Sequence, residues 1–286
     1  METKNLIKIV ADSSADLIIP PSAAFAYSPL KIVTAQKEYI DDESLDVLQM
    51  VNDLHSYKGR SSSSCPNAAD WLNAFGDAKE IICVTITATL SGSYNSAMLA
   101  KKMYEEEDSS RKVHVINSLS AGPELMLIIE KLQEFIGNGM EFDAICEKID
   151  KYTKHTGLLF MLESLKNLAN NGRVSPVVAK MAGLLGIRLV GKASEVGDLE
   201  PLDKCRGEKK ALKTIFSRLK ELGYNGGKIR IAHCFNEGAA KQLKEKIEAS
   251  FKNAKIKLYN TRGLCSFYAE KGGMLIGFEK EGAATV

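Results

Sequence analysis

The sequence lacks a dominant charge. Its 38 Lys and Arg face 36 Asp and Glu, a net of +2. That leaves no basic field of the kind nucleic acid requires, and no acidic solvating tail. It also lacks a long hydrophobic run. No stretch approaches the roughly 20 apolar residues that span a bilayer, and the first ten residues carry no apolar segment of signal-peptide type. The expectation is a cytoplasmic protein without stable membrane insertion. The six cysteines (Cys65, Cys83, Cys146, Cys205, Cys234, Cys265) include no CxxC pair, and His55, His114, His155 and His233 are dispersed. Neither a disulfide framework nor a metal site is expected. No GxGxxG follows a strand-like segment. Gly186 to Ala193 has the spacing of a phosphate loop, but Ala193 stands where a Ser or Thr would hold magnesium, and the residues between the glycines are bulky. That segment reads as a strand ending in a turn, and no cofactor is expected. There is no low-complexity tract and no solenoid period.

What is present is a globular composition, 45% apolar and 26% charged, over 286 residues. That length suits one large domain or two medium ones. The first half alternates strand-like and helix-like segments. Apolar runs at 7–10, 81–86 and 113–116 each end in a polar turn, as strands buried on both faces of a parallel sheet do. Helical patterns follow at 94–106, 124–136 and 142–152, and another helix carries Trp71 and Phe75. Leu125, Ile128, Leu132 and Phe135 share one helical face. This is the pattern of a doubly wound α/β domain. The spacing predicts a further helix over 161–170. The stretch 191–202 reads as turn-rich. The last third returns to α/β, with helices at 208–222 and 238–251 and strands at 229–233, 256–259 and 274–278. We read two domains, 1–155 and 156–286.

Small polar turns recur where ligand crevices form in such sheets. Asp12-Ser13-Ser14 follows the first strand. Ser61 to Ser64, with Cys65-Pro66-Asn67, precede the Trp71 helix. Leu90-Ser91-Gly92-Ser93 follows the second strand, and Asn117-Ser118 the third. Each alone is a loop or a helix cap. Together they gather hydroxyls at one edge of the sheet. Ser91 occupies the place of a hydrolase nucleophile, but the GxSxG elbow is absent. Hydroxyls without a nearby base or metal suit ligand binding.

The ordered motifs resemble the DegV family, whose members bind long-chain fatty acids. Ala11-Asp12-Ser13-Ser14-Ala15-Asp16-Leu17 is similar to its N-terminal signature. Ser63-Ser64-Cys65-Pro66-Asn67 resembles its Thr-Ser-Gln-Pro-Ser, and Leu90-Ser91-Gly92-Ser93-Tyr94 its Leu-Ser-Gly-Thr-Tyr. Gly172-Arg173-Val174-Ser175 resembles Gly-Arg-Ile-Ser. Gly197 to Pro201, Lys204-Cys205-Arg206 and Lys209-Lys210-Ala211 resemble the basic stretch that follows. The resemblance implies two α/β domains with an acyl chain in a tunnel between them. It implies that Ser63, Ser64 and Ser91 hold the fatty-acid carboxylate. It further implies that a fatty acid kinase receives the bound acid and makes the acyl phosphate used in phospholipid metabolism. The binding protein would then supply no catalytic residue. The resemblance further implies that Lys204, Arg206, Lys209 and Lys210 fall in the region that docks the kinase, against a plain solvated helix start, and that Arg173 is a ligand-side or interdomain contact, against a structural ion pair after the Asn-Gly turn. Tyr268 stands where the family often has a His, Cys65 where it commonly has Gln, and Asn117-Ser118 replaces an Asp-Ser.

An apolar ligand fits these groups energetically. Each buried methylene contributes about 0.8 kcal/mol, so about fifteen give roughly 12 kcal/mol gross, and neutral hydroxyls need only orient the head. The small apolar stretch 177–185 is a candidate lining. Two other readings remain open at this point. One is a serine hydrolase or acyltransferase using Ser91, with His233 and Asp12. The other is a module for a different amphipathic acid.

Overall fold

The computed structural model describes residues 6–17, 24–179 and 186–286. The elements run β1 (Ile7–Asp12), β2 (Phe25–Ser28), β3 (Lys31–Val33), β4 (Glu38–Ile40), α1 (Val47–Ser56), β5 (Ser62–Ser64), α2 (Ala68–Phe75), β6 (Glu80–Thr85), α3 (Ser93–Glu107), β7 (Lys112–Asn117), α4 (Pro123–Gly137) and α5 (Phe142–Tyr152). They continue with β8 (Thr156–Leu162), α6 (Lys166–Asn170), α7 (Pro176–Ala179), β9 (Ile187–Ala193), β10 (Leu199–Arg206), α8 (Glu208–Glu221), β11 (Gly227–His233), α9 (Glu237–Ser250), β12 (Ala254–Asn260), α10 (Gly263–Ala269) and β13 (Met274–Glu279).

The apolar runs of the first half become a parallel sheet in the order β2-β1-β6-β7. Its strands are apolar on both sides because helices cover both sides. Trp71, Phe75, Ala97 and Tyr104 of α2 and α3 pack on one face. Leu125, Ile128 and Leu132 of α4, with Ile145 and Ile149 of α5, pack on the other. Asn67 opens α2 with a reciprocal capping box to Asp70, and Pro123 opens α4 at its first turn. A small antiparallel sheet, β4-β3-β5, is attached to this half.

The second half forms a mixed sheet, β10-β9-β8-β13-β11-β12. Its outer face is covered by α8 and α9 through Leu212, Ile215, Leu243 and Ile247. Helix α4 packs against the inner face as well, so it lies between the two sheets, and every residue from Pro123 to Ile129 is buried. Gly277 of β13 makes the approach close: a Cβ there would stand 2.6 Å from the Glu124 amide nitrogen. Ion pairs hold the far end of this contact. The Arg230 guanidinium of β11, 4% exposed, forks onto the Glu130 carboxylate of α4. Lys257 of β12 reaches the same carboxylate at 2.7 Å, and Lys228 reaches Glu134 at 3.2 Å. Arg230 Nη1 donates to the Ile229 and Lys255 carbonyls. The buried charge is thus paired and hydrogen-bonded, as burial demands.

Two expectations are corrected. The helix expected over 161–170 is confined to its second half, Lys166–Asn170; Met161 and Leu162 close strand β8, Thr156–Leu162, which lies between β13 and β9 and was not expected. A run apolar at every position carries no period to separate strand from helix. The turn-rich stretch 191–202 is a hairpin, with β9 and β10 antiparallel. Of the stretch 177–185, residues 180–185 lie outside the described residues. Val177 is exposed, and Val178 packs against the buried cluster that includes Leu168.

Candidate functional site: an apolar cavity with a polar end

Loops at the carboxyl ends of β1 and β6 are tied together by one buried side chain. Asp12 accepts from the Ser14 amide (3.2 Å), the Ile86 amide (2.9 Å) and Ser93 Oγ (2.6 Å). Burial pushes its carboxyl above the usual range, and these hydrogen bonds pull it back down. The Asn117 carboxamide accepts from the Ala88 amide, and the Thr87 amide donates to the Ser120 carbonyl. The loops after β6 and β7 are thereby fixed side by side, and Ser91 is held within them.

These loops bound a cavity of about 790 Å³ of space between the lining atoms, its mouth included. Its wall is almost wholly hydrocarbon. Leu30, Ile86 and Leu90 come from the first half, and Leu158, Phe160, Leu162 and Leu275 from the inner face of the mixed sheet. Strand alternation sorts β8. Leu158, Phe160 and Leu162 face the cavity side, while Leu159 and Met161 enter the core under α8 and α9. The β9–β10 hairpin reaches over from the mixed sheet and adds Gly197, Asp198 and Leu199 at its tip. Thr89 Oγ1 of the first half donates to the Gly197 carbonyl at 2.9 Å.

Several polar groups meet in this wall. Ser63, on β5 opposite Ile32, shares a 2.6 Å hydrogen bond with the Tyr268 hydroxyl of α10. Arg173 follows α6, stands beside that phenol and donates from Nη1 to the Asn171 carbonyl at 2.9 Å. Its Nε is buried and has no hydrogen-bond partner among the described residues. Ser91 belongs to a loop that abuts the Ser63 strand, since a Cβ on Gly92 would stand 3.0 Å from Cys65 Sγ. Ser63, Ser91, Arg173 and Tyr268 all line the cavity. Burial raises the Tyr268 pKa, so the phenol remains a neutral donor at neutral pH.

Ser64 is not with them. It follows Ser63 on a strand, so its side chain points to the opposite face and is exposed. Lys204 and Arg206 flank the buried Cys205 on the edge strand β10, and Lys209 and Lys210 lie in the first turn of α8. All four are exposed, stand outside the cavity lining and form no ion pair among the described residues.

The geometry removes the serine-enzyme reading. Among the described residues no imidazole lines the cavity with Ser91. The His233 Nδ1 atom accepts from the Asn236 amide at 3.3 Å, and burial lowers its pKa. Asp12 is occupied by the contacts above. Among the described residues no three His, Cys, Asp or Glu side chains converge as metal ligands, and no helix is long and apolar enough to cross a membrane.

Sequence reasoning missed most of the wall. Leu158, Phe160 and Leu275 come from strands whose two faces are equally apolar. It also missed Asp41, which follows β4 and is buried against the start of α10.

Known proteins agree with this architecture. The family model described as "Uncharacterised protein, DegV family" matches residues 6–281. A DegV domain-containing protein of Streptococcus pneumoniae is 47% identical over 276 residues, 95% of this chain and 98% of that protein. The structure of a DegV family protein from Eubacterium eligens loaded with heptadecanoic acid superposes with a TM-score of 0.93 at 45% identity, over 96% of this chain and 100% of that one. The Streptococcus pneumoniae Fatty Acid Kinase (Fak) B3 protein loaded with linoleic acid gives 0.94 at 46% identity, again over 96% and 100%. With matched motifs, matched fold and nearly full coverage in both directions, the chain belongs to the DegV family.

Proposed function

We propose that this chain binds one long-chain fatty acid in the cavity and presents its carboxylate, in the cytoplasm, to a fatty acid kinase for acyl-phosphate formation. The observation that carries the reading is the buried, unpartnered Nε of Arg173 beside the Ser63–Tyr268 pair, in a wall otherwise made of hydrocarbon. A buried guanidinium donor without an acceptor is costly. A carboxylate would satisfy it and accept charge-assisted hydrogen bonds from the hydroxyls as well. The apolar wall suits the chain that follows the head group, at about 0.8 kcal/mol for each methylene buried. The fatty-acid-loaded relatives at 45% and 46% identity support the same ligand class.

In this scheme the protein contributes no catalytic group. It holds the acid, and a carboxylate oxygen takes a phosphoryl group from the kinase's donor. The exposed Lys204, Arg206, Lys209 and Lys210 are the proposed docking cations, since unpaired charges steer association. Native mass spectrometry with organic extraction of the purified protein tests the binding step. One fatty acid per chain is expected. A mass that stays at the bare polypeptide after incubation with C14 to C18 acids would overturn the reading.

A further inference from the structure

Helix α10 comes late in the chain, after β12, yet it docks on the first half, against α1, β3 and the turn after β1. Its first amides are taken by two buried carboxylates from that half. The Arg262 amide donates to Asp16 Oδ1 at 2.8 Å. The Gly263 and Leu264 amides donate to the two oxygens of Asp41, each at 2.8 Å. Both aspartates are 2% exposed. The site admits them because residue 263 is glycine: a Cβ there would stand 2.6 Å from Asp41 Oδ1. One turn further along the same short helix, Tyr268 meets Ser63, and Cys265 and Ala269 join the cavity wall.

We infer that Asp16 and Asp41 are positioning residues for the head-group site: by holding three successive amides at the start of α10, they set where the Tyr268 hydroxyl enters the cavity. Water would satisfy those amides equally well, but it would not fix the helix along or about its axis. Two carboxylates anchored in different loops do both. Leu264 and Tyr268 are four residues apart, about 6 Å along the axis, so a slip at the first turn reaches the phenol undiminished. The inference rests on the fatty-acid reading and adds residues that touch no ligand.

A double-mutant cycle tests it. Affinity for heptadecanoic acid and for its methyl ester is measured for wild type, Asp41→Asn, Tyr268→Phe and the pair. If Asp41 acts through Tyr268, Asp41→Asn weakens acid binding about tenfold in the wild-type background and less than about twofold in Tyr268→Phe. Methyl ester binding changes little in either. Equal losses in both backgrounds, or a folded Asp41→Asn protein with unchanged acid affinity, would overturn the inference. If Asp41→Asn fails to fold, Asp16→Ala, which removes the acceptor of the Arg262 amide, enters the same cycle with the same outcomes. Failure of the underlying reading is visible beforehand, as a wild-type protein that binds no fatty acid, and it would overturn both.

Discussion

Gly197, at the tip of the β9–β10 hairpin, offers the sharpest perturbation of the cavity wall. Its φ of +87° meets the demand of the turn, in which the Ser194 amide donates to the Asp198 carbonyl and the Gly197 amide to the Ser194 carbonyl. It also lies against the other half of the molecule. A Cβ would overlap Thr87 Oγ1 and press the Leu119 Cα at 3.0 Å. Gly197→Ala therefore has two effects. The left-handed backbone costs about 1 kcal/mol of overall stability, whether or not the tip is docked. The overlap exists only in the docked tip. Overpacking costs about 1–3 kcal/mol, and loss of the Thr89–Gly197 hydrogen bond adds about 1 kcal/mol. Together these disfavour docking by about 2–4 kcal/mol, which is about 30- to 700-fold. The expected result is faster release of the bound acid, approaching that factor, read by stopped-flow displacement of a fluorescent fatty acid. Thr89→Val removes this hydrogen bond, and the 3.1 Å bond that Thr89 Oγ1 shares with Thr87 Oγ1, without overpacking the tip, and should speed release about fivefold. A Gly197→Ala protein that binds the acid and releases it at the wild-type rate would refute the docked tip as part of the closed wall.

Three further outcomes follow from the site and its surroundings. Ser91→Ala should weaken fatty-acid affinity by about 5- to 30-fold, with little change in melting temperature, because Ser91 Oγ accepts only a long 3.3 Å bond from the Ser93 amide; equal loss of binding and stability would count against a ligand role. Charge reversal of Lys204 and Arg206 should lower the kinase's kcat/KM for the bound acid and flatten its salt dependence, while the Kd for the acid, by titration, stays unchanged; unaltered kinase turnover would remove β10 from the docking surface. Burial pushes the Asp16 carboxyl to about 8 and raises Asp12 and Asp41 as well. The folded state therefore holds protons that the unfolded chain has lost: Asp16 makes stability fall as pH rises from about 4 to about 8, and Asp12 and Asp41 act in the same direction. Asp16→Asn should flatten that slope in urea titrations, and an unchanged slope would place the proton elsewhere. Glu130 and Glu134, whose pKa values are lowered by their Arg and Lys partners, act at lower pH, losing their contribution as they protonate.

The legible parts of the fold were those with a period or a punctuation mark. β1, β6 and β7 read as strands because each apolar run ends in a polar turn. α4 read as a helix because Leu125, Ile128 and Leu132 repeat on one face. β8 goes unread because Leu158 to Leu162 are apolar at every position, the cavity wall on one side and the core on the other. α10 escaped notice because a seven-residue helix buried nearly all round shows no polar face. For the site, Ser63, Ser91, Arg173 and Tyr268 were reached through motif resemblance rather than spacing. Ser64 came with them because a motif does not say which neighbour on a strand faces inward. Alternation would have separated the two, had β5 been recognised as a strand. It is three serines long, and nothing in its composition marks it as one.

The position of α4 restricts how the cavity can open. A helix enclosed by two sheets, with Gly277 against its first turn and Arg230 and Lys257 fastened to Glu130, keeps every residue of its first half, Pro123 to Ile129, buried. Its hydrogen exchange should be among the slowest in the molecule, close to the limit set by global unfolding. The two sheets are then one mechanical body. Ligand exchange is therefore expected at the rim, past the hairpin tip and the loops that meet it, rather than by a hinge-like separation of the halves, which share one helix.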